Sequence, residues 1–221
     1  MKTNKWFLAL TCVGALLVNN VLSAVDGKVT TNYQSNAEYR GQSIGDDAIG
    51  AAVNAETKLN DLSVGLSLST LNSLDNDASL HLLDVGVSTD VLADKLALTL
   101  GWLGTDNGTY ENEIYASVGL NVFLNPSLSV YKNTDQDLYL YVVGVTTDDI
   151  KIEGLPVTFV AGVDVGSIDR TTTENETYVE AHVCAKHSLG DSAEVYAGVE
   201  YDDSDLVDNE VGFVLGLNVR F

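Results

Sequence analysis

The side chains of this chain that could do chemistry are few and mostly acidic. His182 and Cys184 stand two positions apart, with Glu180 and Lys186 flanking them. That spacing puts all four on one face of an extended segment. Imidazole and thiolate can hold a soft metal, but two ligands do not complete a tetrahedral site, and the Lys186 ammonium opposes a cation. A packing role is the simpler reading. His81 has no nucleophile motif beside it, so the hydrolytic chemistry a surface histidine could serve lacks its partners. The run Asp202-Asp203-Ser204-Asp205 with Asp208 is rich in oxygen ligands, yet it lacks the glycine and the terminal glutamate of a helical calcium loop and reads as solvated surface. No catalytic set, metal site or cofactor is expected.

The elements that must position these residues are strands. In Leu62-Ser63-Val64-Gly65-Leu66-Ser67-Leu68-Ser69 every even position is apolar and every odd one is small or polar, a period of two. The pattern recurs along the chain and predicts about twelve strands, mostly of the length a tilted strand needs to cross a hydrocarbon layer. Their expected bounds are 26–37, 48–58, 62–70, 80–91, 95–104, 112–123, 127–133, 137–147, 156–166, 177–187, 192–201 and 210–221. In 137–147, Leu138, Leu140 and Val142 compete with Tyr139, Tyr141, Val143 and Val145 for the apolar face.

The connections differ in length. Leu59-Asn60-Asp61, Leu92-Ala93-Asp94, Asn125-Pro126 and Ser188-Leu189-Gly190 are tight, whereas 38–47, 71–79, 105–111, 167–176 and 202–209 are longer and acidic. Asp148–Leu155 is a longer link on the short side. Short turns at one end and long loops at the other fit a membrane barrel. A soluble β-sandwich also alternates, but its second face would not be so consistently Gly, Ser, Ala, Asn and Thr. The expected fold is all-β: a closed antiparallel transmembrane β-barrel over residues 25–221. Twelve strands about 4.8 Å apart and tilted about 40° give a backbone diameter near ~24 Å. No connection is long enough for a plug domain, so water is expected to fill the lumen.

Setting the apolar parity outward turns the charges inward. Lys28, Lys58, Lys95, Lys186 and Arg220 then lie on the inner face near the short turns, Glu113, Glu180, Glu200 and Glu210 near the long loops, and Asp84 and Asp164 between. A pathway lined this way is acidic at its outer mouth and favours small cations. Pairing of these charges as reinforcement, such as Arg220 with Glu194, is the alternative. Trp102, Tyr201, Phe213 and Phe221 sit outward at strand ends, where interfacial belts form.

Net charge is −21 and the hydrophobic fraction 45%. The first excludes nucleic acid as a partner, and the second excludes a disordered acidic tail. Residues 1–24 read as a signal peptide: Lys2 and Lys5 precede an apolar stretch from Trp6 to Val18, and Ser23 and Ala24 follow. Cys12 lies too early in that stretch to be a lipoprotein cysteine. Cys184 is then the one cysteine left, so no internal disulfide is expected. Asn107-Gly108-Thr109 and Asn175-Glu176-Thr177 match glycosylation acceptors but read as loop sequence.

The final segment, Val211 to Phe221, alternates to a terminal aromatic, with Phe213, Leu215, Leu217, Val219 and Phe221 on one face. It resembles the C-terminal strand by which bacterial outer-membrane barrels are recognised for assembly. Thr31-Asn32-Tyr33 followed by Tyr39-Arg40-Gly41-Gln42-Ser43 resembles the opening of the TorF-type porin family, over about fifty residues. Ser63 to Thr70 departs from that family, since it lacks the aromatic and Trp-Gly-Ser-Asn-like segments usual there. These resemblances imply a Gram-negative outer-membrane protein exported through the periplasm. Its implied partners are outer-membrane lipid and lipopolysaccharide, the barrel-assembly machinery, and small solutes or cations. A porin-like diffusion channel is the expected function, ahead of a structural or adhesive barrel and of an outer-membrane hydrolase.

Overall fold

The computed structural model describes residues 25–106, 112–170 and 175–221, so the leader expected at 1–24 and the Asn107-Gly108-Thr109 motif lie outside the described residues. The alternating segments form strands close to their expected bounds. In chain order these are β1 (Asp26–Gln34), β2 (Ala37–Tyr39), β3 (Gln42–Gly45), β4 (Ala48–Leu59), β5 (Leu62–Ser73), β6 (Ser79–Val91), β7 (Leu96–Thr105) and β8 (Asn112–Leu120). They continue with β9 (Ser127–Asn133), β10 (Leu138–Thr146), β11 (Ile150–Lys151), β12 (Thr158–Arg170), β13 (Glu176–Ser188), β14 (Ala193–Ser204) and β15 (Glu210–Arg220).

Long strands pair antiparallel in the order β10-β9-β8-β7-β6-β5-β4-β1-β15-β14-β13-β12, and a β10–β12 ladder closes the ring. This is a closed twelve-stranded antiparallel barrel, with no free edge among the long strands. The two-residue β11 pairs with one end of β12. β5, β12 and β14 run past their apolar stretches to Ser73, Arg170 and Ser204, because backbone pairing continues after burial in lipid ends. The β6–β7 turn passes through three consecutive left-handed residues, Leu92, Ala93 and Asp94.

The first and last strands meet with Lys28 opposite Arg220. Gly27 donates its N–H to the Phe221 carbonyl (3.1 Å) and Phe221 donates back to Gly27 (3.0 Å). The Phe221 ring lies where a Cβ on Gly27 would stand, so the terminal aromatic covers the glycine at the seam. Phe213, Leu215, Leu217 and Val219 face outward on β15 in the expected parity, and Leu100, Ile114, Val183 and Val211 continue the exposed apolar girdle.

The open choice on β10 is decided, and two expectations change. On β10 the outward face belongs to Tyr141, Val143 and Val145, while Leu138 and Leu140 point inward and are buried with Ile168 and Tyr178. The lumen therefore holds apolar packing where water was expected. Its cause is the second change: 38–47 is not an outer loop. β2 and β3 pair as a small hairpin that folds into the lumen, with Tyr39 packed against the Leu138–Tyr178 cluster. Ala37, Ile44, Ala48 and Leu80 form a second buried cluster at its base.

Candidate functional site

Tyr39 pairs with Gln42 across the two-residue turn Arg40-Gly41, and both turn residues have positive φ, 54° and 72°. That is the geometry of a tight hairpin turn, natural for glycine and strained for arginine. Contacts at the tip hold it there. The Arg40 guanidinium ion-pairs with Glu113 at 2.7 Å and lies over the rings of Tyr39 (5.0 Å) and Tyr131 (4.4 Å). Its backbone N–H donates to Glu180 (3.0 Å), and the Ser204 hydroxyl donates to the Gly41 carbonyl (2.9 Å). A Cβ on Gly41 would stand 2.8 Å from the Cβ of Ser204 and 2.9 Å from that of Tyr178, so the tip approaches the wall too closely for any other residue. Since Glu113 is on β8 and Glu180 on β13, the hairpin crosses the lumen. At its base Asn76 donates to the Ile44 carbonyl (3.2 Å), tying it to the β5–β6 loop.

Among the described residues, three of the cavities follow one another along the lumen. The outermost, about 170 Å³, is a crevice beside the hairpin lined by Gln34, Asn36, Glu38, Asp164, Glu180, His182, Glu200 and Asp202. No lysine or arginine lines it. It shares Glu38, Asp164 and Glu180 with a middle cavity of about 410 Å³ under the hairpin. That cavity shares Ser67 and Asp84 with a vestibule of about 440 Å³ near the short turns. Burial, then the neighbouring Asp202, Glu210 and Glu180 carboxylates, push the Glu38 carboxyl up to about 7.

Of the carboxylates expected to line a pathway, Asp84, Asp164, Glu180 and Glu200 line these cavities. Asp84 also accepts a hydrogen bond from Tyr115 (2.9 Å). Glu113 does not line them, because Arg40 closes it off completely. Among the bases, Lys28 and Arg220 line the vestibule together with Asp26 and Glu56. The other three line none of these cavities. Lys58 is at the exposed end of β4, Lys95 is in the exposed β6–β7 turn beyond the last paired residues, and Lys186 turns to Asp149 at 3.5 Å. Glu194 accepts from Asn218 (3.1 Å) rather than pairing with Arg220.

The remaining polar candidates have structural places. His182 packs over Gly162 and Cys184 over Gly198, and the described residues contain no cluster that could hold a metal. His81 approaches Asp106 at 3.7 Å. Asp205 accepts from both the backbone and the hydroxyl of Thr177 (2.7 and 2.8 Å).

No protein-family model matches the chain, and no curated protein matches it. Solved structures do. The chain is similar to the KdgM porin, at 10% identity and TM-score 0.58, over 88% of this chain and 99% of that one. It is similar to the NanC porin at 12% identity and TM-score 0.55, over 87% and 98%. The translocator domain of the autotransporter NalP from Neisseria meningitidis follows at 14% and 0.50, over 98% and 95%. This chain has the outer-membrane β-barrel fold. Identities this low carry fold and nothing finer. Together with the apolar girdle, the fold points to the bacterial outer membrane as the site of this barrel.

Proposed function

We propose that this barrel is a porin-like channel for passive diffusion of small hydrophilic solutes, with cations preferred over anions. The observation that carries this reading is the series of three carboxylate-bearing cavities that share lining residues, from the acidic crevice to the vestibule. Carboxylates outnumber Lys28, Arg40 and Arg220 along these cavities, and an excess of one sign within low-dielectric walls concentrates counter-ions. One similar structure is described as the KdgM porin in complex with disordered oligogalacturonate. Such a polyanion suits neither Glu38 nor the wall carboxylates here, so the solutes of this barrel differ in charge. The TorF-like opening segment and an export leader at 1–24 accord with the same reading, as do acidic outer loops that divalent cations would bridge to lipopolysaccharide.

Purified full-length mature protein in planar bilayers tests the proposal. Discrete conductance steps, and a reversal potential on the cation side in a salt gradient, are expected. An electrically silent protein, shown to be inserted and folded, would favour a structural barrel. Phospholipid hydrolysis by the same preparation would favour an enzyme built around His81 and Asp106.

A further inference from the structure

We propose that the β2–β3 hairpin is the constriction that sets the selectivity of this channel, with Glu38 as its charged edge and Arg40 as the latch that holds it across the lumen. The inference rests on the channel reading and adds to it the residues and the solute class.

The hairpin divides the outer lumen into unlike sides. On one, Tyr39 packs against Leu138, Leu140, Ile168, Tyr178 and Tyr131, an apolar cluster that disfavours the passage of ions. On the other, Glu38 faces Glu180, Glu200 and Asp202 across the crevice. At about 170 Å³ against 410 and 440 Å³ below it, the crevice is the smallest of these three compartments. Solute entering from the long-loop end therefore meets Glu38 before it meets Asp84.

The crevice is rich in acceptors, and two of them are unused. The Oε1 atoms of Glu38 and Gln34 are buried and have no hydrogen-bond partner among the described residues. Unused oxygens beside like-charged carboxylates fit a solute that brings both positive charge and donors: a hydrated metal ion or a small organic ammonium. Glu38 keeps this unfavourable position because its hairpin is fixed elsewhere. The Arg40–Glu113 pair is desolvated on both sides and would be costly to break singly, and the strained φ of Arg40 persists only under such restraint.

The experiment compares the mature protein with Glu38→Gln, Arg40→Gln and Asp61→Asn in planar bilayers, after folding is checked by gel mobility and circular dichroism. Asp61 is an exposed turn residue, so its variant removes one negative charge away from the lumen. Glu38→Gln is expected to lower the cation-to-anion permeability ratio by about two-fold or more at low salt, and Asp61→Asn to leave it unchanged. Arg40→Gln is expected to raise single-channel conductance and the size limit for neutral polymers, because the freed hairpin no longer narrows the crevice. If Arg40→Gln fails to fold, Gly41→Ala loosens the same tip without removing a charge. Unaltered ratio in Glu38→Gln and unaltered conductance in the tip variants would overturn the inference and leave the channel reading standing. A folded parent that does not conduct while the tip variants do would also overturn it, since the hairpin would then be a plug. Silence in every form would instead remove the channel reading and the inference with it.

Discussion

At the scale of single residues, the lumen turns on one guanidinium. Arg40 is planar and permanently charged, so it can stack between two phenol rings while bonding a carboxylate, which a lysine would do poorly. Gly41→Ala tests how tightly that tip is held. The substitution puts a side chain at φ 72°, at a cost of roughly 1–2 kcal/mol, and drives its Cβ against Ser204 and Tyr178. Faster amide exchange across 38–43 in detergent is the expected outcome, with the strand amides unchanged. Glu38 gives a pH dependence. Its carboxyl is held up to about 7 by burial, Asp202, Glu210 and Glu180, so it is neutral in acid and charged above that value. Cation preference is therefore expected to rise as pH climbs through about 7, and Glu38→Gln to flatten the part of the slope that Glu38 supplies. Asp164, Glu180, Glu200 and Asp202, with His182, are the other titratable groups that line the same crevice. The sign for hairpin docking is the reverse. The docked carboxyl titrates at about 7 and a free one near 4.5, so the docked state holds the extra proton between them. Docking help from this group is full below about 4.5, declines as pH rises, and is gone above about 7. Exchange in the hairpin should accordingly quicken toward alkaline pH.

At the scale of elements, alternation made most strands legible, since a period of two with polar turns has few other readings. β4, β9 and β15 begin and end within a residue of their expected bounds. Where the pattern gave no answer, tertiary contact decided. Both faces of β10 are apolar, so parity could not choose between Leu140 and Tyr141; the hairpin packing from inside made Leu140 the buried one. The hairpin itself was hard to see because β2 and β3 have three and four residues, too few for periodicity to register. The signal that could have found it is local: Tyr39-Arg40-Gly41-Gln42, a residue-Gly turn with Ala37 and Ile44 on its arms. Comparing two truncations on one strand tests the assignment. Leu140→Ala empties a fully buried site and is expected to cost about 2–5 kcal/mol in denaturant unfolding from micelles. Val143→Ala, on the lipid side, should cost less. Equal losses would mean that the inner face of β10 is not packed.

At the scale of the whole molecule, the charge pattern separates into layers that the sequence showed only as a parity. Even positions face inward throughout β12 to β15, which is why Asp164, Glu180 and Glu200 could be placed in the lumen without a structure. Parity says nothing of depth or of partners. Glu113 has the right parity and is sealed under Arg40; Lys95 was counted with the wall and belongs to the turn. In the proposed channel the pathway would run past carboxylates from the crevice to Asp84, with Arg40 beside the middle cavity, and end in a vestibule lined by Lys28 and Arg220 with Asp26 and Glu56. Salt should reveal that layering. The Debye length is about 30 Å at 0.01 M and about 8 Å at physiological ionic strength, so exposed loop acids act at a distance only in dilute salt, whereas charges within a narrow passage are screened less. Amide replacement of Asp84, Asp164 and Glu200 together is expected to cut cation preference at both ionic strengths. Replacing Asp46, Asp77 and Asp137, which are exposed in the long-loop region, should cut it only at the lower. Neutralising Lys28 and Arg220 should raise it, and neutralising Lys58 and Lys95 should do nothing. Reversal potentials in a fixed salt gradient measure all four. A loss confined to dilute salt for the first set would place those carboxylates outside the path of the ions, and a response to Lys95 equal to that of Lys28 would return the turn to the lumen.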